Sequence, residues 1–591
     1  MHDEEPNAIM SARHVATILT IILSLSPASA PALAQASPPL TSQRTAHTRH
    51  GMVASASGLA TQVGVDIMKC GGNAVDAAVA VGLALAVVYP EAGNLGGGGF
   101  MLIRLADGRS TAIDYREVAP ALASRTMYLD KAGNVIKGAS LVGYRAVGVP
   151  GTVAGFALAQ RRYGKLSWRQ VLDPARRLAA EGFVVSPALS QSLTNATETP
   201  LGRFAESRRI FLRSGKPFQA GEVLRQPDLA ATLGRLEQYG PHEFYTGRTA
   251  RLLARDMAAH GGLVTLADLR RYKAVERKPL QGTYRGYGVL TMPPPSSGGV
   301  ALLEMLNILE RHDIGGMGYR TAATDHLLVE AMRRAFADRS AFGGDPDFVR
   351  VPVRGLTSKA YAAQVDKTIR SAQATPSAKI RHGQPQAYES PETTNFSVVD
   401  GEGNAVSNTY TLNFLYGSGV TAVGTGVLLN DEMDDFASKP NTPNGFGLIQ
   451  GENNAIAPRK RPLSSMTPTI LTRHGKLLLV VGSPGGPTII NTVLQVTVDV
   501  IDHHMTLAQA IAAPRLHHQW FPDLIRYEPG AVSAKVRVRL EAEGHRFAPE
   551  AGVFLGSPTW GDAEGIFVDP ATGERNGASD PRSKDARAMG Y

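Results

Sequence analysis

A single thiol, Cys70, is the whole cysteine content of this 591-residue chain. An intrachain disulfide needs two cysteines, and a cysteine-built zinc site needs more, so both are excluded. Cys70 falls in DIMKCGGNAVDAA, a helical pattern, where the expectation is a buried, inert thiol. Dense Lys/Arg runs with interleaved aromatics are also missing. A formal charge of +9 over this length describes a mildly basic surface rather than a nucleic-acid footprint. No stretch of about 18 consecutive apolar residues occurs, so no membrane-spanning helix is expected. GxSxG and S-x-x-K are absent, which removes the usual serine-hydrolase signals. HExxH is absent as well. The pairs His503-His504 and His517-His518 are sequence neighbours, which do not share a face in regular structure. They read as surface or packing histidines, not metal ligands. GNLGGGGF lacks both the Lys-Ser/Thr of a P-loop and the GxGxxG spacing.

What is present describes a globular protein. Hydrophobic residues make up 43% and charged residues 19%, enough for a sizeable core. The 62 glycines and 37 prolines fit many tight turns. The N-terminus has the order of a secretory signal: Arg13 and His14, the apolar run VATILTIILSL, then the small residues SPASAPALAQA. Cleavage is expected after Ala30 or Ala34, making residues 1–34 a signal peptide. The acidic start MHDEEPNAI is unusual there, and initiation at Met10 gives a more ordinary signal. The mature chain is expected to be soluble and exported, periplasmic or secreted.

Residues 35–50 read as a lead-in. TQVGVDIMKCGG reads as a helix closed by glycines, NAVDAAVAVGLALAVV as a buried helix, and GNLGGGGFMLIRLADG as turn, strand, turn. TAIDYREVAP is expected to be a strand. Residues 150–380 are mostly amphipathic helix patterns, including PPPSSGGVALLEMLNILE and HLLVEAMRRAFADRS. Residues 370–392 are polar and aperiodic, as a linker or exposed loop would be. Beyond them TNFSVVDGEGNAVSNTYTLNF predicts a hairpin, HGKLLLVVGSPGG a buried strand, and TIINTVLQVTVDVIDH a helix.

The chemistry these exclusions leave open lies at ESPETTNF, where loop becomes strand. A threonine hydroxyl is a weak nucleophile without an adjacent base. At a new chain end it carries its own α-amino group, with a reference pKa of about 7.7–8.0, able to take the hydroxyl proton directly or through one water. That requires a backbone cut immediately before the threonine. GSPGG follows a buried strand and precedes a helix, so its N–H groups suit an oxyanion hole. RPLSSMTPT offers two serine hydroxyls. NDEMDDF packs four carboxylates into five residues; from charge alone it reads as a solvated loop.

TTNFSVVD, NTYTLN, LLNDEMDDF, KRPLSSMTPTI, GSPGG and GASDPR resemble the γ-glutamyltranspeptidase (glutathione hydrolase) family. So do GNAVDAAVAVG, GNLGGGGFM, DYREVAP, GVPGTVAG and MPPPSSGG. The likeness runs from Gly51 to Tyr591. It implies the N-terminal-nucleophile fold, an α+β four-layer αββα sandwich shared by two fragments of one precursor. The cut then falls between Glu392 and Thr393, leaving residues 35–392 as the large subunit and 393–591 as the small one. Thr393 becomes the nucleophile, Thr411 its hydrogen-bonding partner, and Gly485 and Gly486 the oxyanion hole. Arg116 would grip the donor's α-carboxylate, with Ser464 and Ser465 adding hydrogen bonds. Asp435, helped by Glu432 and Asn413, would pair with the α-ammonium. No metal or organic cofactor is implied. Glutathione and related γ-glutamyl compounds are the expected donors; water, amino acids or peptides are the expected acceptors. Phe446 stands where relatives with a lid loop often carry Tyr, and Asn395 replaces a frequent His. A glutaryl-type β-lactam acylase of the same fold is the alternative, although such a substrate has no ammonium for Asp435. A catalytically inactive exported binding protein is the other alternative.

Overall fold

The computed structural model describes residues 44–197, 200–385, 396–549, 551 and 560–591. The predicted signal peptide, Glu392, Thr393 and Asn395 lie outside the described residues.

Two seven-stranded sheets carry the fold, and their strand pairs are antiparallel. In spatial order the first runs Thr45–Thr48, Arg575–Ser579, Glu564–Val568, Lys476–Gly482, Thr469–Arg473, Tyr287–Thr291, Leu280–Tyr284. The second runs Arg587–Gly590, Met52–Ser55, Phe396–Val399, Ala405–Thr411, Gly98–Arg104, Ser110–Asp114, Val275–Arg277.

Side chains alternate across a strand, so sequence neighbours belong to different cores. Val53, Met101, Ile103, Val398 and Val406 pack with the helices Gly58–Lys69, Ala74–Val88 and Thr152–Tyr163. One step out of phase, Met52, Ala54, Phe100, Leu102, Val399 and Ala405 meet Ile470, Val480 and Ile566 of the other sheet. Leu471, Leu479 and Val481 face the helices Gly298–Leu309, Ala322–Phe342 and Thr488–Ile501. Three cores between four layers make the expected αββα sandwich. Each large aliphatic side chain buried this way contributes about 1.5–3 kcal/mol.

The buried helix Ala74–Val88 shows how the sequence sets this up. Asn73 caps it by accepting from Val75 and Asp76 N–H, and Asp76 returns the bond to Asn73 N–H. Its small residues let neighbours come close: a Cβ on Gly82 would stand 2.4 Å from the Phe156 ring.

The hairpin after residue 395 is present, with Phe396 opposite Asn408 and Val399 opposite Ala405. Several expectations are corrected. Cys70 is exposed, because the helix ends at Lys69 and leaves it as the cap. The strand in TAIDYREVAP stops at Asp114, freeing Arg116 to turn inward. The helix Ala322–Phe342 is not a surface helix: every residue from Thr324 to Ser340 is buried, its arginines included. His517 and His518 are both buried, the packing side of what was expected of them. The stretch 370–385 is a mostly exposed loop, as expected, and is tied down where Ala374 N–H meets Glu543 O, Ser377 N–H meets Asp523 and Gly383 N–H meets Asp338.

Candidate active site

Arg116 is the centre of the polar site. It lies two residues past the strand Ser110–Asp114, fully buried. Its guanidinium donates Nη1 to Glu432 and Nη2 to Asp435, the latter at 2.5 Å. Pro462 and Leu463 carbonyls accept from Nε at 3.3 Å and Nη2 at 3.2 Å. Burial pulls the Arg116 pKa down, but Glu432, Asp435 and Glu117 outweigh it, and the net shift is upward. Glu432 and Asp435 sit on a short 3-10 turn, Glu432–Asp435, buried throughout. The acidic run is therefore not a solvated loop. Burial pushes Glu432 well above the usual carboxylate range, against the pull of Arg116. Asp434 faces the other way, accepting from Ser140 Oγ at 2.7 Å and Gly445 N–H at 2.9 Å. Burial raises it to about 6.

Two buried residues here were not foreseen from sequence. Glu117, beside Arg116, has both carboxylate oxygens without a hydrogen-bond partner among the described residues; Nη1 of Arg116 is 3.8 Å away. Burial pushes it up to about 8. Arg339, on the long helix, donates Nε to Ser297 Oγ at 2.8 Å and Nη2 to Ser465 Oγ at 3.0 Å. Its Nη1 has no hydrogen-bond partner among the described residues. Burial lowers it to about 10, with Asp435 opposing and Arg116 adding to the fall. Glu117 stands in DYREVAP beside Arg116, where the likeness gives it no role of its own; no local motif marks Arg339, and the charge pattern of its helix points to solvent.

The serine loop is fixed by its backbone. Ser464 N–H donates to Pro295 O, and Ser464 O accepts from Ser297 N–H and from the Ser296 and Ser297 hydroxyls. Arg339 holds Ser465 Oγ as an acceptor, which turns the Ser465 O–H outward as a donor. Thr411 closes its strand, and its Oγ1 accepts Asn413 N–H at 2.8 Å. Asn413 has φ of 84° and donates its side-chain amide to Asp431 O at 3.1 Å.

Gly485 and Gly486 have φ of 129° and 56°, the first a conformation that side chains strain to adopt. They precede the helix Thr488–Ile501, whose Thr488 hydroxyl bonds Gly485 O. The hydrogen bonds among the described residues leave both glycine N–H groups uncommitted. A Cβ on Gly486 would stand 2.7 Å from the Phe446 ring. That ring stacks on Phe414 at 4.3 Å and 10°, and Gln519 Nε2 donates to Phe446 O. The segment bearing Phe446 is further tied by Gly445 to Asp434, so the ring is held in place without a phenol.

Arg116, Glu432, Asp435 and Ser465 are thus brought together. Thr411, Asn413, Gly485, Gly486 and Phe446 have the backbone settings described above. Thr393 and Glu392 lie outside the described residues. Two facing sheets between helix layers, with a hairpin strand opening just after a threonine pair, define the N-terminal-nucleophile hydrolases. The family model for Gamma-glutamyltranspeptidase matches residues 60–590. The glutathione hydrolase proenzyme of Escherichia coli (strain K12) is 50% identical over 543 residues, covering 92% of each chain. The crystal structure of a cephalosporin acylase from Bacillus halodurans superposes with a TM-score of 0.82 at 29% identity, covering 94% of this chain and 99% of that one. Helicobacter pylori gamma-glutamyltranspeptidase superposes with a TM-score of 0.56 at 44% identity, over 57% of this chain and 96% of that chain. The chain belongs to the γ-glutamyltranspeptidase family.

Proposed function

We propose that the chain is a precursor that cuts itself between Glu392 and Thr393 and then hydrolyses or transfers γ-glutamyl groups from glutathione and related amides. The observation that carries the substrate class is Arg116 buried between Glu432 and Asp435. A γ-glutamyl donor presents a carboxylate and an ammonium on one carbon. It enters such a site by exchange: its carboxylate takes over Arg116 and Ser465, and its ammonium takes over Asp435 and Glu432. The desolvated charges remain paired throughout, which a buried ion pair requires. With the head fixed, the γ-carbonyl is the group presented for attack.

The order of the chain supports Thr393 as nucleophile: the strand Phe396–Val399 begins three residues after it in sequence and pairs with the strand that closes at Thr411. Thr393 would attack with its own amine as base, giving a γ-glutamyl ester and the released amine. The Gly485 and Gly486 N–H groups would hold the oxyanion. Water, or an amino-acid or peptide amine, then takes the acyl group.

A glutaryl acylase would need the arginine but not the carboxylates beside it, so the site favours the amino-acid head. The small-residue sequence after VATILTIILSL favours export, to the periplasm or beyond. Among the described residues no helix is long and apolar enough to cross a membrane.

Thr393→Ala is the test. On denaturing gels the purified wild-type chain should run as two fragments, the smaller beginning at Thr393. The variant should run as one and release no amine from γ-glutamyl-p-nitroanilide. An uncut wild-type chain with full activity overturns the mechanism.

A further inference from the structure

At the opposite end of the helix that carries Arg339, three ligand-type side chains converge where the helix Ala322–Phe342 meets the end of the helix Ala534–Ala542. His326 lies in the first turns of the former. Glu543 caps the latter, and Gly544, at φ 96°, reverses the chain so that His545 turns back onto it. His545 N–H bonds Leu540 O. One ligand atom from each of His326, Glu543 and His545 lies within 4.8 Å of the other two.

The hydrogen bonds set the tautomers. His326 Nε2 is 2.7 Å from Arg370 O, a carbonyl that only accepts, so this nitrogen carries the proton and Nδ1 carries a lone pair. His326 Nδ1 faces His545 Nε2 at 2.8 Å and Glu543 Oε2 at 3.6 Å. A carbonyl holding the outer N–H is the usual support of a metal-bound imidazole. Two atoms around the centre are unspent: Glu543 Oε2 and His545 Nδ1 are buried without a hydrogen-bond partner among the described residues. The Glu543 side chain is only 8% exposed, and its other oxygen is held by Arg539 Nε at 2.7 Å. Arg333 is already committed to Glu330 and Asp523.

We propose that His326 Nδ1, His545 Nε2 and Glu543 Oε2 form a site for a zinc-class divalent cation, separate from the catalytic centre. Two imidazoles and a carboxylate suit such an ion. Zinc–nitrogen bonds of about 2.0–2.1 Å place tetrahedral ligand atoms about 3.3 Å apart. The histidine pair therefore has to open by about half an ångström, and the proton that His545 Nε2 shares with His326 Nδ1 moves to His545 Nδ1, leaving Nε2 a lone pair for the ion. The ligands come from either side of residue 392. If the chain is cut there, as proposed above, the ion clamps the two fragments together.

The test uses untagged full-length protein, stripped with EDTA and dialysed, titrated with Zn²⁺ by calorimetry and with Co²⁺ by visible absorption. One equivalent should bind, with the intense d–d bands of tetrahedral Co²⁺. His545→Gln and Glu543→Gln should each weaken Zn²⁺ binding at least about 100-fold, the upper end of what even outer supports contribute. Binding below one equivalent to the wild type, an octahedral Co²⁺ spectrum, or equal binding by both variants overturns the site. The unmodified protein alone decides the first two outcomes, so misfolded variants do not shelter the proposal. Thr393→Ala should bind Zn²⁺ as the wild type does. Zn²⁺ should protect against urea-induced fragment separation only in cut protein, which keeps failure of the cut distinct from failure of the site.

Discussion

Arg116 and Arg339 are both buried, and both bond to the loop 462–465, Arg116 at the Pro462 and Leu463 carbonyls and Arg339 at the Ser465 hydroxyl, yet their surroundings are opposite. Arg116 is surrounded by Glu432, Asp435 and Glu117 and its pKa rises. Arg339 meets only hydroxyls, keeps one N–H unspent, and falls to about 10. Under the proposed function, the first charge is held by carboxylates that a zwitterionic donor would replace with its own. The second is an under-satisfied cation whose spare N–H an incoming anion would fill. One arginine would then be structural until substrate arrives, and the other would contribute mainly once it has.

Substituting methionine separates them most sharply. Arg116→Met strands buried carboxylates, and the folded state should lose about 3–5 kcal/mol, read by urea denaturation. Its kcat/KM for γ-glutamyl donors should fall about a thousandfold, the worth of two charge-assisted hydrogen bonds of about 1.5–3 kcal/mol each. Asp435→Asn should cost about a hundredfold on γ-glutamyl amides and spare glutaryl amides, which carry no ammonium. Equal losses on both would remove the head-group assignment. Arg339→Met should leave stability within about 1 kcal/mol of wild type, because the lost hydrogen bonds are offset by removal of an unmatched charge. Its donor KM should still rise about tenfold, with kcat nearly unchanged; a kcat loss instead would give Arg339 a role in chemistry. The smallest effect belongs to Glu117. Neutral below about 8, it becomes a carboxylate above that pH and competes with the donor for Arg116. Donor KM should rise about threefold on passing from pH 7 to 9, and Glu117→Gln should flatten that rise.

The hairpin, the helix after GSPGG and the buried alanine-rich helix were legible because each is written in local periodicity and turn residues. Arg116, Ser464, Ser465, Glu432 and Asp435 were reachable through motifs of the family. Arg339 was not, and Glu117, although inside DYREVAP, acquires its meaning only from its burial beside Arg116. On a helix bearing Arg333, Arg334, Asp338 and Arg339, charge density reads as a solvent face. Only the packing of that helix against the helix Gly298–Leu309 and the loop 296–297 reverses the reading. His517 takes the packing side of its reading: Asn491 of the helix Thr488–Ile501 and Gln519, two residues on, satisfy its ring. Burial of polar groups is decided by partners distant in sequence, and local pattern carries no record of them.

The order of strands in the two sheets bears on how such a precursor is assembled. In the second sheet Met52–Ser55 lies between Arg587–Gly590 and Phe396–Val399, and in the first Thr45–Thr48 pairs with Arg575–Ser579. Segments from the two sides of residue 392 are interleaved like the fingers of clasped hands. A cut there would alter the chemistry of a chain end without creating a separable piece. Each half would lack strands that the other provides to its sheets. Synthesis as one chain then does the work of a chaperone, delivering both halves at equal dose and in register before the link is spent.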